Sequence, residues 1–315
     1  MVTDEKKRVE LEALIKLAEE RPEELVRISE ERYRRQIAEV ADRFCEGFEQ
    51  NPHILLAGPS SSGKTTTSLN LETELMRRGI RTIAVSLDDF FVDRQLAKYL
   101  PDGTQDLEDP ELVDLAELER CLSELTGQGR CEFPIYDFSV GQRSKTRRPL
   151  VFDSRTAVII EGIHALNPMI CKRPFFKGTM KLYISIKTEY YLGGQRILNT
   201  REARLMRRII RDSNFRACPP AATLGMWGNV VAGEERYIRP FRTEADYWID
   251  SLHLYEPMLY KPVLEPMLAP LQGSRVCGEA AGRLLEALEG LPAVAVKGIP
   301  ADSLMREFLP LGGED

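Results

Sequence analysis

The sequence predicts an α/β fold in which a mainly parallel sheet is flanked by helices on both faces. Two observations carry this reading. Short apolar runs, each the length of one buried strand, alternate with stretches of helical periodicity. One strand–helix junction also holds a glycine-framed loop, Gly58-Pro59-Ser60-Ser61-Ser62-Gly63-Lys64-Thr65, which fits G-x-x-x-x-G-K-[ST] at every fixed position.

Residues 4–50 are rich in Glu, Lys, Arg, Leu and Ala, and Leu11, Leu14, Leu25, Ile28, Tyr33, Ile37, Val40 and Phe44 recur at helical spacing. Pro22 suits the first turn of a second helix. Residues 1–50 therefore read as an N-terminal helical appendage. It either packs on its own domain, the preferred reading, or acts as an arm between copies in a homo-oligomer. His53-Ile54-Leu55-Leu56-Ala57 is continuous and apolar, as a strand buried on both faces requires. A helix follows over about 64–78, ended by Gly79, then a strand at 81–87 and a polar loop. A further helix opens at Asp109-Pro110 and closes at Gly127. Turn signals over 131–156 predict hairpins, and strands follow at 157–160 and 180–186. Helices are expected at about 188–193, 199–215, 219–236 and 274–290. The main domain thus spans 51–290, and the Gly/Pro-rich residues 291–315 are expected to form a loose tail.

Composition narrows the function classes. The chain has 315 residues, 49 acidic against 43 Lys plus Arg, and a formal net charge of −6. That balance speaks against a surface built wholly to grip nucleic acid, while leaving room for a local anion site. The charged N-terminus lacks the apolar segment of a secretory signal, and no run is long enough to span a bilayer. The six cysteines are scattered without a Cys-x-x-Cys pair, which reads as reduced thiols of a cytoplasmic protein. His53, His164 and His253 are the three histidines and lie far apart, a poor basis for a His-rich metal centre.

The loop after the first apolar run carries the chemistry. Its glycines let backbone N–H groups close around phosphates, and the helix that follows adds partial positive charge. Gly58 through Gly63, with Lys64, Thr65 and Thr66, form the expected phosphate cradle. Lys64 reaches the β- and γ-phosphates and Thr65 offers its hydroxyl to Mg²⁺. No Asn-Lys-x-Asp and no Asp-x-x-Gly occurs, so the usual guanine and switch signals of GTPases are missing. The strand at 81–87 runs into Asp88-Asp89. Two carboxylates at a sheet edge are either a turn cap or a base able to take a proton from an attacking hydroxyl. Val158-Ile159-Ile160-Glu161-Gly162 follows Walker-B logic, with a strand-end acid poised to hold the metal directly or through water.

Arg201, Arg204, Arg207, Arg208, Arg211 and Arg216 crowd one expected helix and its end. Such a run is commonly a solvated face. Six like charges with only Glu202 and Asp212 among them are easier to explain beside a polyanion. A transferring phosphoryl group is the first candidate and RNA the second.

Together these segments resemble the uridine kinase/phosphoribulokinase family of P-loop kinases. The resemblance is carried by 57–67 (AGPSSSGKTTT), 86–94 (SLDDFFVDR), 134–143 (PIYDFSVGQR), 159–168 (IIEGIHALNP) and 204–216 (RLMRRIIRDSNFR), and it continues through 223–227 and 233–240 (GEERYIRP). It implies a P-loop kinase fold and transfer of the γ-phosphoryl of ATP, with Mg²⁺, to a primary hydroxyl. The implied acceptor is a nucleoside such as uridine or cytidine at its 5′-hydroxyl. A sugar-like or polyol acceptor, or a non-catalytic nucleotide- or RNA-binding module, are the alternatives. Carried over, Asp88 is the general base, and Glu161 joins Thr65 at Mg²⁺. Glu108, with Asp106 as its neighbour, holds ribose hydroxyls, and Tyr136 and Phe138 border the nucleoside. Arg208 and Arg216 are lid arginines, and Arg143 is a candidate acceptor contact. The sequence departs from the family at Gly141, where a base-reading histidine is expected, and at Cys218, where a second lid arginine falls.

Overall fold

The computed structural model describes residues 6–100, 103–138, 140–295 and 298–309. The chain opens with β1 (Lys7–Glu10), α1 (Leu11–Glu20) and α2 (Pro22–Gly47). The phosphate-loop unit follows as β2 (His53–Ala57) and α3 (Lys64–Arg77), then β3 (Arg81–Ser86) and α4 (Leu115–Gln128). Four short strands come next: β4 (Arg130–Phe133), β5 (Tyr136–Asp137), β6 (Gln142–Arg143) and β7 (Arg148–Val151). The order continues with β8 (Thr156–Glu161), α5 (Pro168–Cys171), β9 (Met180–Ser185), β10 (Thr188–Leu192) and β11 (Gln195–Leu198). It closes with α6 (Thr200–Phe215), α7 (Pro220–Tyr237), β12 (Tyr247–Asp250), α8 (Glu256–Leu268) and α9 (Gly278–Leu288).

Five strands form an all-parallel sheet in the order β12-β9-β2-β8-β3. Alternation along β2 sorts its side chains between two cores. Ile54 and Leu56 face the core shared with α2, α3, α8 and α9, while Leu55 and Ala57 face the one shared with α4. Register then aligns the strand ends that matter. Leu56 and Ser86 both pair with Glu161, so the loops after β2, β3 and β8 leave the sheet at one carboxyl edge, where open α/β sheets bind ligands. The hairpins expected over 131–156 are present as β4–β7 and β5–β6.

The N-terminal helices pack into this core. Tyr33, Ile37, Val40 and Phe44 of α2 are buried in the same cluster as β2 and α3, and the Tyr33 hydroxyl shares a 2.7 Å hydrogen bond with the Thr67 hydroxyl of α3.

Two expectations are corrected and two elements are added. Residues 188–193, read as helical, form β10, because Thr188–Leu192 pairs with β1 on one side and β11 on the other. Both partners are supplied by distant or turn-linked chain that local periodicity does not register. The strand β12 and the helix α8, which contains Pro262 and Pro266, were absent from the sequence reading. Residues 291–315 are not uniformly loose: Leu291, Val294, Ile299, Leu304, Met305 and Phe308 are buried in the core. Residues 296–297 and 310–315 of that stretch lie outside the described residues. Among the described residues no helix is long and apolar enough to cross a membrane.

Candidate active site

Local backbone geometry explains the loop after β2. Gly63 adopts φ +92° as the residue capping α3, a left-handed conformation that favours glycine. A Cβ on Gly58 would run into the Ile184 carbonyl of the neighbouring strand. The Lys64 ammonium, held over the loop, donates to the carbonyls of Gly58 at 3.0 Å and Pro59 at 3.3 Å. The hydroxyls of Ser61 and Ser62 are buried without a hydrogen-bond partner. Buried polar groups are normally satisfied, so these orphans mark a loop shaped for a polar ligand.

This loop lines a cavity of about 530 Å³ together with Asp88, Glu108, Tyr136, Phe138 and Glu161. The Asp88-Asp89 pair divides its work. Asp88 faces the cavity, its amide turned to the Ser86 hydroxyl at 3.4 Å, whereas Asp89 accepts from the Tyr136 amide at 3.1 Å and so fixes the aromatic segment. Burial pushes the Asp88 carboxyl above its ordinary pKa, with Asp89 adding to the rise and Lys64 and Arg216 opposing it. Burial likewise raises Glu161 and Glu108, and Lys64 offsets part of each rise. Charged carboxylates desolvated beside one another call for a cation.

Oxygen donors suit Mg²⁺, and Thr65, Asp88 and Glu161 present a hydroxyl and two carboxylates to one cavity. Among the described residues, no group of three or more His, Cys, Asp and Glu could hold a metal alone. Mg²⁺ beside phosphates is commonly held by one or two side chains, the phosphates and water.

The arginine helix splits in two. Arg204 and Arg207 are consumed by the fold. Arg204 pairs with Glu234 and donates to the Ser60 carbonyl at 3.1 Å. Arg207, fully buried, pairs with an equally buried Glu256 and donates to the Ser251 carbonyl at 2.7 Å. Arg201 pairs with Glu235. Arg208, Arg211 and Arg216 line the cavity and share the single carboxylate of Asp212, at 3.3, 2.7 and 3.8 Å. Burial pushes Arg208 below its ordinary pKa, and Arg211 adds repulsion. Within α6 these three share one acid, and the carboxylates of Asp88, Glu108, Glu161 and Glu307 line the same cavity.

Of the residues expected at the site, Arg143 does not line the cavity. Its guanidinium donates to the carbonyls of Phe90 at 2.7 Å and Phe91 at 3.0 Å and pairs with Asp114 at 3.1 Å. Asp106 is likewise engaged, accepting from the Tyr237 hydroxyl at 2.8 Å, and of these two neighbouring acids Glu108 lines the cavity. Thr66 lies beside it with its amide and hydroxyl donating to Glu307 at 3.3 and 2.8 Å.

Arg94 and Glu307 line the cavity without a signal of their own in the sequence. Arg94 and Gly141 are one unit: Gly141 takes φ +72°, and a Cβ there would sit 3.0 Å from the Arg94 Cβ. Arg211 lines the cavity while Cys218 does not. Glu307 arrives from a segment more than two hundred residues away, with no local signal.

Comparison with known proteins agrees with this geometry. The profile of the Phosphoribulokinase / Uridine kinase family matches residues 53–255, well over half of the chain. A uridine kinase of Staphylococcus epidermidis is 26% identical over 200 residues, covering 63% of this chain and 87% of that one. The inorganic pyrophosphatase TTM2 of Arabidopsis thaliana is 37% identical over 129 residues, 40% of this chain but 18% of its own length. The crystal structure of a protein described as a fructose transport system kinase, from Silicibacter sp. TM1040, shares the fold. Its TM-score is 0.51 at 21% identity, over 67% of this chain and 98% of that one. With a loop, two strand-end acids and an arginine helix meeting at one sheet edge, and a family profile running through all of them, the chain belongs to the phosphoribulokinase/uridine kinase family of P-loop kinases.

Proposed function

We propose that the protein transfers the γ-phosphoryl of ATP to a primary hydroxyl of a small acceptor, the 5′-hydroxyl of a nucleoside being the first choice. The observation that carries this reading is the sharing of one cavity by the phosphate loop, Asp88 and an aromatic wall of Phe91, Tyr136 and Phe138. Tyr136 stands 5.0 Å from Phe138 and 6.0 Å from Phe91, centroid to centroid. Such a wall suits a flat ring, and the likeness to uridine kinases points the same way.

The chain's own groups divide the task. The loop amides and Lys64 bind and orient the triphosphate. Thr65 and Glu161 would hold Mg²⁺, which supplies charge neutralisation at the phosphates. Glu108 accepts hydrogen bonds from the acceptor's hydroxyls. Asp88 takes the proton from the attacking hydroxyl, and Arg208, Arg211 and Arg216 neutralise charge on the phosphoryl oxygens. Localisation in the cytoplasm accords with the six unpaired thiols.

The test is acceptor-dependent ADP release across nucleosides, sugars and polyols, repeated with Asp88→Asn. A general base contributes about 10²–10⁴-fold, so the variant should lose that factor in kcat with ATP affinity little changed. Since burial raises the Asp88 pKa, the base is lost as pH falls through a value above the ordinary aspartate range. The acid limb of kcat/KM should lie there and vanish in Asp88→Asn. Full turnover by the variant would sink the assignment. Salt-sensitive RNA binding without any acceptor would favour the non-catalytic module.

A further inference from the structure

Residues 303–309 close over the start of α3. Leu304, Met305 and Phe308 are fully buried, and the Ser303 hydroxyl donates to Glu30 of α2 at 2.6 Å. Asn214 of α6 donates to the Phe308 carbonyl at 3.2 Å, and the Arg207 guanidinium lies 5.2 Å from the Phe308 ring centre. Leu304 sits so tightly on Gly63 that a Cβ there would collide with it. Between these anchors, Glu307 reaches the cavity and accepts from both the amide and the hydroxyl of Thr66.

That amide is one of the free N–H groups at the start of α3. In a loop of this pattern such amides cradle the α- and β-phosphates. Thr67, one residue on, already donates to the Gly63 carbonyl at 2.9 Å. Glu307 thus puts a carboxylate where the cradle would take a phosphate oxygen. We propose that Glu307 is a built-in competitor for the nucleotide: it occupies the anion seat at Thr66 in the free protein and swings out when a nucleoside triphosphate binds. This rests on the ATP-binding half of the function proposed above and extends it.

Magnitudes decide what moves. Lifting the segment would expose four buried apolar side chains, Leu304, Met305, Phe308 and Leu309. Freeing the Glu307 side chain alone gives up two hydrogen bonds to Thr66, the smaller loss. The side chain therefore leaves its seat while the segment stays docked. If the seat is filled in about nine molecules of ten, apparent nucleotide affinity is weakened about tenfold.

The test measures MgADP and MgATP affinity by calorimetry, without acceptor, on the full chain. Glu307→Gln, which removes the charge, and Glu307→Ala, which removes the group, should both bind about tenfold more tightly. Without nucleotide, both should melt lower than the parent, because a carboxylate at a helix start is lost. A purely structural cap would lower stability and affinity together. Asp302→Asn lies on the same segment, pairs with Arg34 at 2.8 Å outside the cavity, and should leave affinity unchanged. Unchanged or weaker nucleotide binding by both Glu307 variants overturns the proposal. A protein that binds nucleotide as described but phosphorylates no acceptor overturns the kinase reading alone.

Discussion

The two groups of arginine on and just after α6 both reach the phosphate loop, Arg208 through the Ser60 hydroxyl at 2.7 Å, and differ in their carboxylate partners. Arg204 and Arg207 point into the protein, and each has a carboxylate partner of its own in Glu234 or Glu256. Both also tie α6 to the phosphate loop through the carbonyls of Ser60, Ser61 and Ser62. Arg208, Arg211 and Arg216 face the cavity around one Asp212. One helix therefore supports the loop with one face and lines the cavity with positive side chains on the other. Like charges crowded in sequence are separated by which of them own a counter-ion.

The comparison breaks most visibly at Arg207. Removing one partner of a buried ion pair leaves an uncompensated charge and costs about 3–5 kcal/mol, so Arg207→Ala should show that loss in urea denaturation. A stable Arg207→Ala protein impaired only in turnover would erase the distinction. Arg216 is 59% exposed. Arg216→Ala should lower kcat by about 10²–10³, as loss of a charge-stabilising donor does, and leave stability within about 0.5 kcal/mol. Arg143 sharpens the contrast at the smallest scale. Its bonds go to Phe90, Phe91 and Asp114, so Arg143→Ala should destabilise by about 1–3 kcal/mol without moving the acceptor KM. A raised KM at unchanged stability would return Arg143 to the acceptor site.

What the sequence made legible was local. The run His53–Ala57, the loop and the α3 start were readable because one strand, one turn and one helix carry their own signals. The helix α6 was readable from its spacing; in the structure a capping box of Asn199 and Glu202 starts it. Hidden were features decided by partners far along the chain. Whether an arginine is used up or free depends on Glu234 and Glu256, which spacing within α6 does not reveal. β10 is a strand because β1 lies beside it, and β1 is some 180 residues earlier. Gly141 takes a left-handed backbone against Arg94, a pairing between segments that neither announces locally. Glu307 had no motif at all.

The long reach of that last contact has a consequence for synthesis. Thr66 and Glu307 are 241 positions apart, and at roughly 5–20 residues per second the ribosome needs about 12–50 s to make the second after the first. The Tyr33–Thr67 contact joins segments made close together in time, 34 positions apart. During that interval the amide and hydroxyl of Thr66 have no Glu307 to bond. The carboxylate at the start of α3 is among the last partners that the growing chain supplies.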